Sequence, residues 1–294
     1  LAIEAGWDSW IAYGRGNPTS QSNLIRIGND WDMRIHGLQS RLFDNHGLAS
    51  KKVTEDFIHR IKEIKPDVIH LHNIHGYYLN YQILFRYLKE YDVPIIWTLH
   101  DCWPFTGHCA YYDFAKCSRW QTECHDCPQL KSYPASVWRD RSTKNFLTKK
   151  DSFLGCRSLT FVPVSDWLNG ELKKSFLSDY PAVTIHNGID LSVFTPSETT
   201  IKDSTQKVVL GVASVWDKRK GLEEFVKLRK LLPGNYHITL VGLSNDQIST
   251  LPDGITGIRR TENVRQLADL YSMADVFVNP TLEDNFPTTN LEAL

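Results

Sequence analysis

Residues 67–100 read DVIHLHNIHGYYLNYQILFRYLKEYDVPIIWTLH. Two short apolar runs, Asp67–Asn73 and Pro94–His100, flank an amphipathic stretch over Leu79–Tyr91. Strand, helix, strand with apolar strands is the pattern of a parallel sheet covered on both faces. The same alternation continues outward, with strands at DSWIAY (8–13), LTFVPVS (159–165) and AVTIHN (182–187). Helical periodicity accompanies them at Lys51–Lys65, Ala135–Leu154 and Asp166–Leu177. This predicts one α/β domain over residues 1–194, interrupted by an aperiodic, cysteine-rich insertion at 101–134.

Residues 195–205 are polar and aperiodic and read as a linker. The alternation then resumes with strands KVVLGVAS (207–214), HITLVG (237–242), ITGIRR (255–260) and DVFVNP (275–280). Helices are expected at Gly221–Leu232, Asn245–Thr250, Asn263–Met273 and the C-terminus, giving a second α/β domain over 206–294. The first residues read as the tail of a helix, and the last helix is scarcely a turn long, too short to be stable alone. Both domains are therefore expected to be incomplete, the sequence being an interior segment of a longer protein.

A formal net charge of −1 lacks the basic excess that nucleic-acid binding demands. No apolar run approaches the roughly 18 to 20 residues of a membrane span, and no signal peptide is visible.

His70 and His72, two apart, share one face of their strand, and His100 ends the next one. Open parallel sheets place ligands at the carboxyl ends of their strands, which singles out His72, His100 and the adjoining Asp101. His70 reads better as a polar cap. Gly14-Arg15-Gly16 lacks the third glycine of a dinucleotide fingerprint and is followed by Pro18, so it reads as a turn. Lys218, Arg219 and Lys220 precede Gly221 and a helix start, where free N–H groups and added charge suit an anion, or where a solvated basic turn would sit equally well. Near the C-terminus Asp284 and Glu292 bracket Phe286, Pro287, Thr288 and Thr289. Thr289 and Glu292 fit a capping box, whereas Asp284 is not needed for one and is free to bind a ligand.

Several motifs, in order, resemble the retaining glycosyltransferases of family 4, which have the two-domain GT-B fold. They are DVIHLHN, WTLHDCWPFTG, VPVSDWL, IHNGIDLSVFTP, RKGLEEF, LYSMADVFVNPT and EDNFPTTNLEAL, and they span nearly the whole sequence. The resemblance implies two Rossmann-like domains with parallel sheets around an interdomain cleft. It implies sugar transfer, with retention, from a UDP- or GDP-sugar to a glycan or lipid-linked acceptor in cell-surface polysaccharide assembly, without a catalytic metal. It makes Asp284 and Glu292 the ends of the E-x7-E motif, Asp284 holding donor-sugar hydroxyls and Glu292 the ribose. Lys220 contacts the diphosphate, His100 lies by the donor sugar, and Ser214, Arg219, Phe286, Thr288 and Thr289 complete the donor side. Three positions depart from the family pattern. Asp284 replaces a Glu, Ser214 stands where many members carry Arg, and Pro287 stands where many carry Gly and offers no N–H. With Ser214 in that place, Lys218 or Arg219 is left to supply the second charge on the diphosphate. A GT-B sugar-nucleotide epimerase and a non-catalytic binding module held together by zinc are the alternatives.

Cys109, Cys117, Cys124 and Cys127 are spaced C-x7-C-x6-C-x2-C, a candidate structural zinc site with His108 and His125 as substitute ligands. Free thiols or disulfides are the competing readings, and a cytoplasmic transferase favours metal or thiols. Cys102 and Cys156 read as buried thiols. The helix expected over 135–154 carries Arg139, Arg141, Lys144, Lys149 and Lys150 beside Trp138, Phe146 and Phe153. It reads as an ordinary surface helix or as a peripheral contact with the inner face of the cell membrane.

Overall fold

The computed structural model describes residues 2–196 and 205–294, which divide into two compact units, Leu1–Ile185 and His186–Leu294. Most of the expected linker lies outside the described residues.

In the first unit, β1 (Trp10–Tyr13) pairs in parallel with β2 (Asn23–Arg26), and α1 (Asp30–Phe43) follows. Neither β2 nor α1 is anticipated by the sequence pattern. Asn29 starts α1 through a capping box: its side chain accepts the Trp31 and Asp32 N–H groups at 2.8 and 3.2 Å, and Asp32 accepts the Asn29 N–H at 2.8 Å. The apolar stripe of α1, Trp31, Ile35, Leu38 and Leu42, is exposed, while its buried residues are His36 and Ser40. A helix that buries polar groups gives no ordinary amphipathic signal.

The stretch at 67–100 forms its expected unit. After α2 (Lys51–Ile64), β3 (Ile69–Leu71), α3 (Tyr81–Glu90) and β4 (Ile95–Leu99) follow in order, and β4 pairs in parallel with β3 on one side. α3 buries Tyr81, Leu84, Phe85 and Leu88, the 0, 3, 4, 7 spacing of one helical face. Asn80 caps it by accepting the Ile83 N–H at 3.1 Å. Phe85, Trp97 of β4 and Phe153 of α4 (Ser142–Phe153) meet with ring centroids 4.6–5.3 Å apart. Each such buried ring contributes about 1.5–3 kcal/mol.

β5 (Leu159–Pro163) completes this sheet in parallel on the other side of β4, and α5 (Asp166–Leu172) follows, capped by Ser165. Three expectations are corrected here. α4 begins at Ser142 rather than Ala135, because residues 135–141 are irregular, with Ser136 Oγ donating to Arg139 O at 2.7 Å. α5 ends at Leu172 rather than Leu177; Ser175 and Leu177 lie in turns beyond it. The segment 182–187 runs beside β5 with a single bridge, Phe161 to Ala182, rather than as a strand. Its Ile185 N–H donates to Pro163 O at 3.1 Å, but Pro163 has no N–H with which to continue the ladder.

The second unit holds β6 (Lys207–Val212), α6 (Leu222–Leu231), β7 (Tyr236–Val241), α7 (Asn245–Ser249), β8 (Ile255–Ile258), α8 (Val264–Met273), β9 (Val276–Phe277) and α9 (Thr288–Glu292). Its strands are all parallel, in the order β8-β7-β6-β9. Val209, Phe225, Ile238 and Leu240 form the centre of its core. The chain steps to one side of β6 for β7 and β8 and returns to the other side for β9. The carboxyl ends of β6 and β9 therefore flank a topological switch point, where open α/β sheets bind ligands. Among the described residues, no helix is long and apolar enough to cross a membrane.

Candidate functional site

The loops leaving β6 and β9 are tied together at the switch point. Leu282 N–H donates to Arg219 O at 2.8 Å, and the Arg219 guanidinium donates to Glu283 O at 2.6 Å. Lys220 and Asp284 form an ion pair, each side chain 17% exposed. The Lys220 N–H is held by Asp217 Oδ1 at 3.0 Å, and Asp284 Oδ1 accepts the Asn285 N–H at 2.9 Å. Gly221 follows with φ +77°, and a Cβ there would lie 3.0 Å from Pro280. Only glycine lets the two loops approach so closely in that backbone conformation. Ser214 and Lys218 are exposed on the β6 loop.

Beyond Asp284 the chain is held from His186 and Asn187. The His186 ring stacks on Phe286 with centroids 4.5 Å apart, and Asn187 Nδ2 donates to Phe286 O at 2.9 Å. Phe286 has φ +106°, a left-handed conformation that costs a non-glycine residue about 1–3 kcal/mol, offset by these contacts.

α9 corrects the capping-box reading. Its N-cap is Pro287, which has no side-chain acceptor, so Thr288 and Thr289 stand inside the first turn. The Glu292 carboxylate instead accepts the Tyr271 hydroxyl at 3.0 Å. Burial, followed by the Glu292 charge, pushes the Tyr271 phenol up. Tyr271 comes from α8 and has no local sequence signal linking it to Glu292.

In the first unit, His72 and His100 meet at the ends of β3 and β4, with His72 Nδ1 and His100 Nε2 3.0 Å apart. One of these nitrogens donates and the other accepts, a bond that double protonation would break. Burial, with the neighbouring His70 and His100, pushes the His72 imidazole down to about 4. Burial also lowers His100, opposed by Asp101. His70 bonds Thr98 Oγ1 at 2.8 Å. Asp101 turns inward: it accepts the Trp103 N–H at 2.9 Å and lies 3.1 Å from His75 Nε2. Burial raises its carboxyl, but His75 and the Trp103 N–H outweigh that and hold it below the ordinary range. His75, stacked on Trp103 at 4.8 Å, carries no periodic signal and escaped the sequence reading.

Lys149 is buried, not a surface cation. Its ammonium donates to Trp103 O at 2.6 Å and Thr106 O at 2.9 Å and lies 3.6 Å from the Trp103 ring centroid. Burial lowers it to about 7. Arg139 and Arg141 precede α4, so the basic helical face reduces to Lys144 and Lys150. All six cysteines, five of them in the cysteine segment, are free thiols, and Cys102 and Cys156 are buried. Cys109, Cys117, Cys124 and Cys127 line one cavity of about 10 Å³ with His108 and His125.

A parallel α/β unit with a cation and a carboxylate paired at its switch point is a frame in which open sheets bind ligands. Residues 4–193 match the family described as Glycosyltransferase Family 4, and residues 206–294 match the one described as Glycosyl transferases group 1. The chain belongs to glycosyltransferase family 4. It is 29% identical over 214 residues to WcaC of Escherichia coli (strain K12), a glycosyl transferase named for colanic acid biosynthesis. That match takes in 65% of this chain and 49% of WcaC, so the chain spans about half the length of this curated relative. Among solved structures, sucrose-phosphate synthase from Thermosynechococcus elongatus aligns with a TM-score of 0.67 at 18% identity, over 99% of this chain and 70% of that one. Anabaena HepE in complex with UDP aligns with a TM-score of 0.53 at 14% identity, over 86% and 63%. These likenesses establish the fold as GT-B.

Proposed function

We propose that this chain is the catalytic part of a glycosyltransferase that moves a sugar from a nucleoside-diphosphate sugar to a glycan or lipid-linked acceptor, with retention, in cell-surface polysaccharide assembly. The observation that carries the reading is the pairing of Lys220 with Asp284 at the β6/β9 switch point. In the resting protein each holds the other in place. When donor binds, Lys220 passes to the diphosphate and stabilises the charge that develops on it as the glycosidic bond breaks. Asp284 is then free to accept sugar hydroxyls, and Glu292, oriented by Tyr271, accepts those of the ribose. Arg219 braces the loop, leaving Lys218 as the mobile second charge. We assign Ser214, Phe286, Thr288 and Thr289 to the donor, His100 to the transferred sugar, and His72 and Asp101 to the acceptor.

UDP is the first nucleotide to test, a choice supported by the UDP complex of HepE; GDP is the second. The likeness to WcaC supports a polysaccharide acceptor. We place the protein in the cytoplasm, with Lys144 and Lys150 available for peripheral contact with anionic lipid. Zinc, in this reading, is structural and belongs to the cysteine segment.

The test is calorimetric titration of UDP, GDP, ADP and their sugar conjugates into the full-length protein, alongside Asp284→Ala and Glu292→Ala. Micromolar binding to one nucleotide class, weakened by both substitutions, is expected. Absence of binding to all of them overturns the reading, and an altered free nucleotide sugar without a new glycosidic bond would identify an epimerase.

A further inference from the structure

The cysteine segment holds a feature that four-thiol spacing does not contain. His108 and Asp44 are both buried, each side chain 1% exposed, and His108 Nδ1–H donates to Asp44 Oδ1 at 2.7 Å. The opposite nitrogen, His108 Nε2, is buried without a hydrogen-bond partner. The ring belongs to the wall of the cavity that Cys109, Cys117, Cys124 and Cys127 also line. A buried imidazole nitrogen left unpaired costs about 1–3 kcal/mol, so its lone pair calls for a ligand. An imidazole whose Nδ1–H is fixed by a carboxylate, with Nε2 free, is the arrangement by which proteins orient a metal-binding histidine.

Asp44 is itself locked in place. Its second oxygen accepts the Arg141 N–H at 2.7 Å, and its carbonyl accepts from Asn145 Nδ2 at 2.7 Å. The thiol side of the cavity is equally fixed. The Gly107 N–H donates to Cys124 Sγ at 3.1 Å, Thr143 Oγ1 donates to Cys124 O at 2.7 Å, and the Cys127 N–H donates to Asp140 Oδ2 at 2.6 Å. A Cβ on Gly107 would lie 2.1 Å from Ser142 O, so the loop can seat against α4 only with glycine there. Cys109 and Cys124 are buried; Cys117 and Cys127 are half-exposed, but the Cys117 N–H is held within its own loop, by Tyr112 O at 3.2 Å, and not towards α4.

We infer that this cavity is a structural Zn²⁺ site whose ligands are the thiolates of Cys109, Cys124 and Cys127 and Nε2 of His108, with Asp44 orienting His108 and Cys117 outside the coordination shell. Three sulfurs and one imidazole in a closed tetrahedral set select zinc over harder cations. As the side chains stand, no group of three or more His, Cys, Asp or Glu among the described residues is arranged to hold an ion, so binding includes rotation of the thiols. It also releases their three protons to solvent. The ion would fix the 101–134 segment, which has no regular element beyond two short 3₁₀ turns, Trp103–Phe105 and Arg119–Gln121, to α1 and α4.

The experiment is metal analysis and zinc-edge X-ray absorption on the full-length protein produced with zinc and without a metal-affinity step. One zinc per chain is expected, with sulfur scatterers at about 2.3 Å and a single nitrogen at about 2.0 Å. Cys117→Ser should retain the metal, while His108→Ala and Cys124→Ser should lose it and become as chelator-insensitive in melting temperature as stripped wild type. A shell of four sulfurs would give the fourth position to Cys117 and overturn this ligand set. Metal-free protein in which all four thiols are alkylated, or in which any two are oxidised to a disulfide, would overturn the site. The absorption spectrum is read on wild type, so a variant that fails to fold leaves the result intact.

Discussion

Tyr271 donates its hydroxyl to Glu292 Oε2 at 3.0 Å, so the orientation of the last acidic residue of α9 is set from α8. The Tyr271 ring lies edge-on to Phe277 at 5.5 Å and to Phe194 at 6.2 Å, which fixes the direction in which its hydroxyl points. Glu292 thus reaches its position through a side chain 21 residues away in sequence, independently of Thr289.

Tyr271→Phe keeps the ring and removes only this bond. A hydrogen bond to a carboxylate is worth about 1.5–3 kcal/mol, so nucleotide affinity should fall about tenfold or more if Glu292 holds the ribose. Thr289→Val, by contrast, should leave the melting temperature unchanged, because Thr289 caps nothing. Calorimetry with UDP on Tyr271→Phe and a thermal melt on both variants check this; a melting-temperature loss in Thr289→Val would return Glu292 to a capping role.

Lys220 and Asp284 should behave as one unit in a double-mutant cycle. Removing either leaves the other partly buried and unpaired, whereas removing both leaves neither. Urea unfolding of Lys220→Met, Asp284→Asn and the double variant should show a coupling of about 1 kcal/mol. Transfer activity should fall for each single variant and hardly further in the double, since residues acting as a unit are non-additive. Additive losses in stability would mean that the pair is a surface contact of no consequence.

The parallel sheets and the βαβ unit at 67–100 were legible because apolar strands and 3.6-residue periodicity report burial directly. α1 was not, because His36 and Ser40 are what it buries. The strand expected at 182–187 failed at Pro163, whose missing N–H lies on the neighbouring strand and not in the segment itself. Asp284 and Lys220 were recognisable as candidates from sequence, yet their pairing spans 64 residues. The supports of the site, Tyr271 and His186, and the inward turn of Asp101 to His75 depend on contacts that no local pattern encodes.

Lys149 and Lys144 lie on the same helix and should respond oppositely to substitution. Lys149 fills a buried site under Trp103 and satisfies two carbonyls, while Lys144 is exposed. Lys149→Met removes a donor from the Trp103 and Thr106 carbonyls and should cost about 1–3 kcal/mol in urea unfolding. Lys144→Met should stay within about 0.5 kcal/mol. If α4 touches anionic lipid, only Lys144→Met should weaken flotation with phosphatidylglycerol vesicles at unchanged stability. A stability loss from Lys144→Met as large as that from Lys149→Met would contradict the burial.

The stability of the first unit should decline with acid through His36. Its Nε2 accepts the Gly47 N–H at 3.1 Å while Nδ1 bonds Ser50 Oγ at 2.8 Å, so the buried ring is neutral, and burial lowers it from 6.5 to about 4. Between these values the unfolded chain binds a proton that the folded chain does not, so unfolding free energy falls as pH drops from about 6.5 towards 4 and is unaffected above. The full span amounts to a loss on the order of 3 kcal/mol for this one group. Buried His46, also displaced well below its ordinary value, adds to the slope. His36→Gln should be flatter in urea unfolding over this window than wild type. In a nitrogen-15 NMR titration the His36 ring should stay neutral down to about pH 4; protonation near 6.5 would show that Gly47 does not hold it.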